Sequence, residues 1–434
     1  MRLPTVPRCA CVVLLVLAAG CNGDNPVADD RDELDVLLSS SLIETVSIEL
    51  IESYGLPVPP ETAVDLVRIT YRTVDARNNT TEASALLAVP ADPSGSLAIA
   101  SYQHGTIVRK DDVASVRGLD TPETLVAVIF ATNGYVAVMP DYLGLGDSEG
   151  LHPFVHAASL ATAVVDALRA AREFALQEGF DLEDDVYLIG YSEGGYATAA
   201  AQKYIEEHLA DEFTIGGSAP MAGPLDLADT MVDLLGSDEP YPSPFFLPYA
   251  LLAYDSIYDL ADSPSEFLVE PYDETIPPLF DGAHSAASIN ALLPEVPKAI
   301  LPTEFVSRIQ TDDDFPWRIR IEENTLLSWG PQSPTRLYHC ENDELIPVEN
   351  SQEALDAFHS NGSSATTVDL VTADFGSHSD CAPVFLLLGK FWIDELRTGM
   401  PASVGPGKVA ETVVRSGWRP IGEMAGSGGS PTSP

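Results

Sequence analysis

The chain has 434 residues, of which 45% are hydrophobic and 8% aromatic, enough apolar material for one large folded domain or two modest ones. This composition excludes a disordered or a fibrous protein. Its 66 acidic and 22 basic residues give a formal net charge of −44, which excludes nucleic acid as a partner because the phosphate backbone would repel so acidic a protein.

The first twenty residues have the layout of a secretory signal peptide, in which an unbroken apolar run follows two arginines. The run ends in Leu17-Ala18-Ala19-Gly20-Cys21, which resembles a bacterial lipobox. We therefore expect cleavage before Cys21, lipidation of Cys21 and a tether over residues 21–35. An ordinary signal peptide with an incidental cysteine is the alternative.

The expected location is the cell envelope, at the outer membrane or cell surface, with the N-terminal lipid as the only membrane contact. The leader's apolar run is too short to span a bilayer, and no later segment of the sequence has the roughly 20 apolar residues that a spanning helix needs.

The folded part begins with residues 34–56, whose apolar positions recur at helical spacing and predict a helix. Residues 67–71 and 83–89 predict two strands, and the polar residues 75–79 between them are typical of a turn. We expect these strands to form a hairpin.

Beyond the hairpin, short apolar runs that predict strands alternate with longer segments at helical spacing. The predicted strands are residues 97–102, 135–139, 186–189, 213–217, 336–339 and 367–371. The predicted helices are residues 156–175, 197–209, 350–360 and 383–397. Such alternation predicts an α/β fold with a mostly parallel sheet.

Residues from about 225 to 330 differ from the rest in their many Pro, Asp and Ser residues and their weak helical signals. We interpret this stretch as a cap that is inserted into a catalytic domain spanning residues 36–425. The Gly/Ser/Pro-rich tail, residues 426–434, is expected to be disordered.

The sequence Gly190-Tyr191-Ser192-Glu193-Gly194 fits the nucleophile elbow, in which a tight strand-to-helix turn lifts a serine hydroxyl out of a sheet. The bare pattern is common, but here it stands between a predicted strand and a predicted helix. Ser192 is therefore the candidate nucleophile. The alternative is a glycine-rich turn with an incidental serine.

A serine hydroxyl needs a neutral imidazole to take its proton and a carboxylate to orient that imidazole. His378 lies just after the last predicted strand, where the chain order of nucleophile, acid and base places the base. His339 and His359 fall within a predicted strand and a predicted helix, where packing or surface roles are expected.

The candidate acid is Asp343, which follows the predicted strand over residues 336–339. The next predicted strand, residues 367–371, leads to His378. Its neighbours Glu341 and Glu344 are alternatives. Asp374 and Asp380 lie so close to His378 in sequence that we expect them to be loop carboxylates.

A tetrahedral oxyanion needs backbone N–H donors. One normally comes from the residue after the nucleophile, here Glu193, and the other from a loop after an earlier strand, here Gln103-His104-Gly105-Thr106. Thr106 or its neighbour Gly105 is the candidate for the second donor. We expect His104 to brace this loop rather than to transfer protons.

Cys340 and Cys381 are the two cysteines that remain in the domain if the leader is cleaved before Cys21. An exported protein with two cysteines generally pairs them. A disulfide between them would tie the Asp343 loop to the His378 loop. Two separate buried thiols are the alternative.

These motifs together resemble the secretory lipase family, which is typified by fungal lipase A and its bacterial relatives. The matching segments are Tyr102-Gln103-His104-Gly105-Thr106, Pro140-Asp141-Tyr142-Leu143-Gly144-Leu145-Gly146, His152-Pro153-Phe154-Val155-His156-Ala157, Gly190-Tyr191-Ser192-Glu193-Gly194-Gly195, Asn342-Asp343 with Ile346-Pro347, and His378 with Cys381-Ala382-Pro383.

The resemblance implies an α/β-hydrolase fold with a mostly parallel central sheet and an inserted, mainly helical cap. It implies hydrolysis of a small-molecule or lipid carboxylic ester, with Ser192, Asp343 and His378 as nucleophile, acid and base. The sequence has no HExxH or paired Cys-x-x-Cys spacing and no glycine-rich phosphate loop, so neither a metal nor another cofactor is predicted.

Three functions stay open at this point. Esterase and lipase activity are both compatible with the sequence, since residues 225–330 match no motif of the family. An aminopeptidase or amidase would use the same triad. A catalytically silent surface lipoprotein that keeps the fold as a binding module is the third, because a fold alone does not establish a function.

The acidic residues are spread along the chain, and this pattern resembles proteins of salt-loving organisms. Salt screens the repulsion between surface carboxylates, since the Debye length falls to about 3 Å at 1 M. We expect the melting temperature to rise between low and molar sodium chloride. A melting temperature that stays constant or falls would instead indicate an acidic surface that serves solubility alone.

Overall fold

The computed structural model of the protein describes residues 35–401 and 404–420. The predicted signal peptide, Cys21, nearly all of the predicted tether and the predicted disordered tail lie outside the described residues. None of the described helices is long and apolar enough to cross a membrane.

Nine strands form one sheet. They are β1 (Leu37–Val46), β2 (Val64–Val74), β3 (Thr80–Pro90), β4 (Ser96–Gln103), β5 (Tyr135–Pro140), β6 (Asp181–Tyr191), β7 (Thr214–Met221), β8 (Thr335–Cys340) and β9 (Val368–Ala373). Their order across the sheet is β1-β2-β3-β5-β4-β6-β7-β8-β9. In this order, the neighbouring pairs β1-β2, β2-β3 and β3-β5 are antiparallel, and the five pairs that follow, from β5-β4 to β8-β9, are parallel. The predicted hairpin and the mostly parallel sheet are confirmed.

Helices cover both faces of this sheet. The α-helices are α1 (Ile48–Ser53), α2 (Ala114–Arg117), α3 (Thr124–Ala131), α4 (Ala157–Glu178), α5 (Glu193–His208), α6 (Leu227–Gly236), α7 (Phe246–Tyr258), α8 (Tyr272–Thr275), α9 (Ala286–Asn290), α10 (Thr303–Thr311), α11 (Pro316–Glu323), α12 (Glu349–Ser360), α13 (His378–Thr398) and α14 (Pro406–Ser416). Short 3-10 helices are Gly118–Asp120, Pro264–Glu266, Pro277–Leu279 and Pro297–Ile300. Helices α4, α5 and α12 pack on one face, and α3, α13 and α14 pack on the other.

The central strands are buried on both faces because of these two helical layers. Every residue of β5 is buried, as is every residue of β4 after Ser96, so the strands are continuous apolar runs rather than alternating ones. Six neighbouring parallel strands bring their carboxyl ends to one edge of the sheet. The loops after β4, β6, β8 and β9 carry the predicted site residues, and they all leave from that edge.

The predicted helix over residues 34–56 is wrong for most of its length. Residues 37–46 form β1, which pairs antiparallel with β2, and only the short α1 follows. The carboxylate of Glu173 on α4 also accepts hydrogen bonds from the Val36 and Leu37 N–H groups, each at 2.8 Å. The contacts with β2 and α4 thus override the helical spacing of the apolar residues. Most residues of β1 are exposed.

Helix α13 begins five residues before the predicted start at residue 383. The Ser377 side chain accepts from the Asp380 N–H, and the Asp380 carboxylate accepts from the Ser377 N–H. This capping box satisfies N–H groups that the first turn leaves without helical partners. It makes His378 the first residue of the helix rather than a loop residue.

The segment between β7 and β8 is built from helices α6 to α11 and short 3-10 helices, and its residues, all of which are described, contain no strand. Buried side chains of α6, α7, α10 and α11 join the same apolar cluster as those of α4 and α5. The segment therefore lies on the α4 and α5 side of the sheet.

Cys340, the last residue of β8, forms a disulfide with Cys381 in the first turn of α13, with the two Cα atoms 6.0 Å apart. The two residues are 41 positions apart in the sequence, and closing a loop of that size in the unfolded chain stabilises the folded state by about 4 kcal/mol.

We expect Cys381→Ser, or dithiothreitol added to the native protein, to lower the free energy of unfolding by up to this amount. Urea unfolding with and without reductant measures the change, and reductant should also shorten the lifetime of any activity on heating. The double variant Cys340→Ser/Cys381→Ser is the control, because dithiothreitol should leave its unfolding curve unaltered. A wild type that does not respond to reductant would contradict a stabilising bond.

Candidate active site

Ser192 occupies the turn between β6 and α5. Its backbone has φ 62° and ψ −127°, a region that residues other than glycine rarely adopt and that is held only when the surroundings determine it. The Ser192 N–H donates to the Met221 carbonyl on β7 at 2.9 Å. The residue is 3% exposed.

Two glycines beside Ser192 are required by close backbone contacts. A Cβ atom on Gly194 would lie 1.9 Å from the Gln103 carbonyl oxygen, and one on Gly190 would lie 2.3 Å from the Gly194 carbonyl oxygen. The spacing of the elbow motif therefore has a steric origin, since the turn is pressed against β4 on one side and against its own helix on the other.

Asp343 lies in the loop after β8 and contacts the ring of His378. Its Oδ2 atom is 2.6 Å from His378 Nδ1, and both side chains are fully buried. Its Oδ1 atom accepts hydrogen bonds from the N–H groups of Leu345 at 3.0 Å and Ile346 at 2.8 Å. Both carboxylate oxygens are thus held in place.

His378 is fixed from both its backbone and its ring. Its N–H donates to Glu344 Oε2 at 2.9 Å, and its carbonyl accepts from the Tyr191 hydroxyl at 2.8 Å. With Nδ1 bound to Asp343, the Nε2 atom is buried and has no hydrogen-bond partner among the described residues. The structure therefore brings Asp343 and His378 together, and it forms no hydrogen bond between His378 and Ser192.

A second imidazole contacts the same carboxylate. His339 Nε2 lies 3.4 Å from Asp343 Oδ2 and 2.8 Å from the Ile346 carbonyl oxygen, while Nδ1 lies 2.7 Å from Ser351 Oγ. Burial by itself raises the pKa of Asp343, but the charges and hydrogen bonds of His378 and His339 lower it below that of a free aspartate. Asp343 is therefore ionised although it is buried.

The other carboxylates near His378 have different partners. Glu341 contacts the Thr372 hydroxyl, Glu344 binds the backbone of His378, and Asp380 caps α13. His359 lies on α12 as predicted, with its ring on the Val368 carbonyl.

The loop after β4 is braced by buried side chains. His104 Nδ1 lies 2.7 Å from the Gly105 carbonyl and Nε2 lies 3.2 Å from the Asp141 carbonyl, and burial lowers the pKa of the ring. The Gly105 N–H donates to Glu123 Oε1 at 3.3 Å. Thr106 lines the same cavity as Ser192.

Two buried carboxyl groups support this loop and the one after β5. Burial raises the pKa of Glu123 to about 8, although the Gly105 N–H and the Tyr102 hydroxyl bind it. Burial also raises the pKa of Asp141 to about 6, although its Oδ2 accepts from the hydroxyls of Ser84 and Ser115. Sequence reasoning missed Glu123, because its partners lie in another segment of the chain.

The side chain of Glu193 is buried beside Ser192 and bonds to His152. Glu193 Oε1 lies 2.7 Å from His152 Nε2, and Glu193 Oε2 has no partner among the described residues. Sequence reasoning assigned only the backbone N–H of Glu193. An acidic residue directly after the nucleophile, where the turn packs against the sheet, was the available signal.

An apolar cavity opens beside Ser192. The acid loop contributes Leu345 and Ile346 to its wall, and the segment between β7 and β8 contributes most of the remaining wall. Those side chains include Leu227, Met231 and Leu234 of α6 and Phe246 and Ala250 of α7. The space beside Ser192 is therefore bordered mainly by apolar side chains.

One group of carboxylates among the described residues has the spacing of cation ligands, namely Asp226, Asp229 and Glu353. Asp229 and Glu353 are exposed. In a chain with 66 acidic residues, such a surface cluster does not by itself indicate an ion.

Comparison with known proteins finds similarity to lipases and esterases. A family model described as secretory lipase matches residues 115–237. The rice cell wall degrading esterase LipA from Xanthomonas oryzae has a structure with a TM-score of 0.75 and 31% sequence identity, covering 84% of this chain and 98% of that one. The closed state of Candida antarctica lipase A has a TM-score of 0.65 at 18% identity, covering 85% and 84% of the two chains. A search of curated protein sequences found no match.

The LipA match covers nearly all of a solved esterase at 31% identity, and the family model covers the elbow and the loop before α4. The described sheet has the parallel order and the helical layers that the resemblance implied. The chain belongs to the secretory lipase family and is a carboxylic ester hydrolase with the α/β-hydrolase fold.

Proposed function

We propose that the protein cleaves carboxylic esters through an acyl intermediate on Ser192, with His378 as general base and then general acid, and Asp343 as the carboxylate that orients His378. The observation that carries the proposal is the 2.6 Å contact between Asp343 and His378 Nδ1, together with a His378 Nε2 atom that has no partner among the described residues. A neutral imidazole with a free Nε2 can take the serine proton. In unliganded enzymes this last hydrogen bond often forms only with substrate.

The proposed oxyanion donors are the backbone N–H groups of Glu193 and Thr106. Glu193 follows the nucleophile at the start of α5, and Thr106 shares the cavity with Ser192. The Gly105 N–H already donates to Glu123, which favours Thr106 over Gly105 for the second position.

We propose further that residues 225–330 are a cap within a catalytic domain of residues 36–425, and that the apolar cavity receives the acyl chain. Cavity walls from α6 and α7 support this assignment. Apolar walls favour a hydrocarbon chain over a peptide backbone, whose polar groups would lose their hydrogen bonds to water there. This favours an esterase or lipase over an amidase.

Labelling by a fluorophosphonate probe tests the nucleophile. Wild-type protein should be labelled, and Ser192→Ala should lose both the label and activity, the latter by roughly 10⁶-fold. Asp343→Asn should retain the fold and lose roughly 10³- to 10⁴-fold in kcat, because the imidazole then adopts the wrong tautomer. Ser218→Ala is the matched control, since Ser218 is a buried serine on β7 whose hydroxyl has no partner among the described residues.

Failure of the folded wild type to react with the probe would contradict the assignment of Ser192 as an activated nucleophile and favour the catalytically silent alternative. A panel of p-nitrophenyl esters with short and long acyl chains, compared with aminoacyl anilides, distinguishes esterase, lipase and amidase. Faster cleavage of the anilides would overturn the ester assignment.

We propose that the protein is exported and anchored in the cell envelope by a lipid on Cys21. The basic start, apolar run and lipobox-like ending of residues 1–21 support this location, and the secretory lipase family suggests export. Cys21→Ser should move the protein from the membrane fraction to the soluble fraction of the producing cells. Equal partition of the variant and the wild type would show that the cysteine is incidental.

A further inference from the structure

Glu193 and His152 form a buried pair directly beside the proposed nucleophile. The Glu193 Oε1 and His152 Nε2 atoms are 2.7 Å apart, and each side chain is 1% exposed. Glu193 is the first residue of α5, and His152 lies in the loop before α4, 41 positions away in sequence. Within the described chain, the Glu193 carboxylate has no other hydrogen bond.

The hydrogen-bond partners of His152 determine where its protons lie. Its Nδ1 atom is 2.8 Å from the Leu143 carbonyl oxygen, which can only accept, so Nδ1 carries a proton. A neutral ring then has a bare lone pair at Nε2, and an ionised Glu193 also offers only lone pairs. The 2.7 Å contact therefore requires one further proton, held either on His152 as an imidazolium or on Glu193 as a carboxylic acid.

The pair is electrically neutral in both arrangements. If this proton leaves, one negative charge remains next to the backbone N–H that is proposed to bind the oxyanion. In a buried site a negative charge within a few ångströms of a developing oxyanion opposes it strongly, because the interior screens charge poorly. A shared proton thus protects the proposed oxyanion site.

The pair also connects the two proposed oxyanion donors through one loop. The His152 ring stacks on Tyr142 with centroids 5.8 Å apart, and the Tyr142 hydroxyl donates to the His104 carbonyl in the loop that carries Thr106. Tyr142 has φ 67°, a conformation that its surroundings must hold. The contacts of His152 therefore reach Glu193 on one side and the Thr106 loop on the other.

Other titratable groups face the pair from the elements packed around it. They are His104, Glu123, Tyr142, Tyr196 and Tyr249 near Glu193, and Lys110, Glu149 and Asp281 in the cavity wall that His152 shares. Burial raises the pKa values of the three tyrosines, so they are neutral near pH 7, and it lowers the pKa of His104 against the opposing effect of its two carbonyl contacts. Glu123, whose pKa burial raises to about 8, is the neighbour that titrates on the alkaline side.

We propose that Glu193 and His152 are positioning residues that share one proton, keep the surroundings of the oxyanion uncharged and hold its two backbone donors in register. This role rests on the proposed function of Ser192. It concerns the side chains of Glu193 and His152, which act on the reaction through the backbone donors.

The test is a double-mutant cycle with Glu193→Gln, His152→Gln and the double variant, measured as kcat and KM on a p-nitrophenyl ester. His152→Gln removes the imidazole that balances the charge of Glu193 and fixes the Glu193 side chain, so we expect kcat to fall at least tenfold with little change in KM. The double variant pairs two neutral amides and should recover most of that kcat. Glu193→Gln should lose less than His152→Gln, because its amide can donate to the neutral ring.

A purely structural role predicts a different pattern, in which the double variant is no faster than His152→Gln because a second substitution in a packed pair restores no contact. A double variant as slow as His152→Gln, or an effect on KM alone, would overturn the proposal. His156→Gln is the control for removing a buried imidazole nearby, since burial lowers the pKa of His156 to about 4 and its ring caps α4 through Ser159, with no carboxylate contact among the residues that the structure describes. Its losses should not be rescued by Glu193→Gln.

If His152→Gln does not fold, the dependence of kcat on pH above neutrality tests the shared proton in wild type and Glu193→Gln instead. Wild type should lose kcat as the shared proton leaves, whereas Glu193→Gln should lose less. The charge of Glu193 contributes to the raised pKa of Glu123, so Glu193→Gln moves the titration of Glu123 to lower pH, and a smaller alkaline loss in this variant cannot come from Glu123. Coinciding profiles would refute the shared proton. Fluorophosphonate labelling distinguishes a failure of this inference from a failure of the proposed function. Labelling that persists in Ser192→Ala would show that Ser192 is not the nucleophile, and the proposed function and the role of the Glu193–His152 pair would then both be wrong.

Discussion

The arrangement of the site depends on the hydrogen bond between Asp343 and His378, which joins the loop after β8 to the start of α13. The bond is short because β8 and β9 are parallel neighbours, so both connections leave the same edge of the sheet. The disulfide from the last residue of β8 to the first turn of α13 closes the same gap covalently. The backbone N–H groups that bind Asp343 Oδ1 and the Glu344 carboxylate that binds the His378 N–H then set the direction of both side chains.

The carboxyl groups buried around this site avoid an unpaired negative charge in different ways, since burying such a charge is unfavourable. Asp343 remains ionised between two imidazoles, whereas Glu193 shares a proton with His152. Burial raises the pKa values of Asp141 and Glu123, to about 6 and about 8, because their partners are hydroxyl and backbone groups without positive charge. In the proposed mechanism, buried acids close to the oxyanion must be neutral or paired, because an unbalanced negative charge would oppose it.

The segment between β7 and β8 packs in the same apolar cluster as α4 and α5 and also borders the cavity beside Ser192. Its helices α6 and α7 supply apolar side chains to the cavity beside Ser192, so the proposed catalytic residues follow strand ends and much of the cavity wall comes from helices. This division matches the general observation that loops at strand ends carry chemistry while the surrounding elements vary. If the cavity receives the ester as proposed, substitutions in α6 or α7 alter its walls without touching the contact between His378 and Asp343.

The sequence by itself determined the central strands, the long helices and the order of the candidate nucleophile, acid and base, because apolar periodicity and the elbow motif are local properties of the chain. It also identified Cys340 and Cys381 as a pair. Only the tertiary structure decided that residues 37–46 form an edge strand, that α13 begins at His378, and that Gly105 bonds to Glu123. The contact of Glu193 with His152 likewise joins residues 41 positions apart. Each of these depends on a partner distant in sequence, and local periodicity carries no information about which distant groups meet.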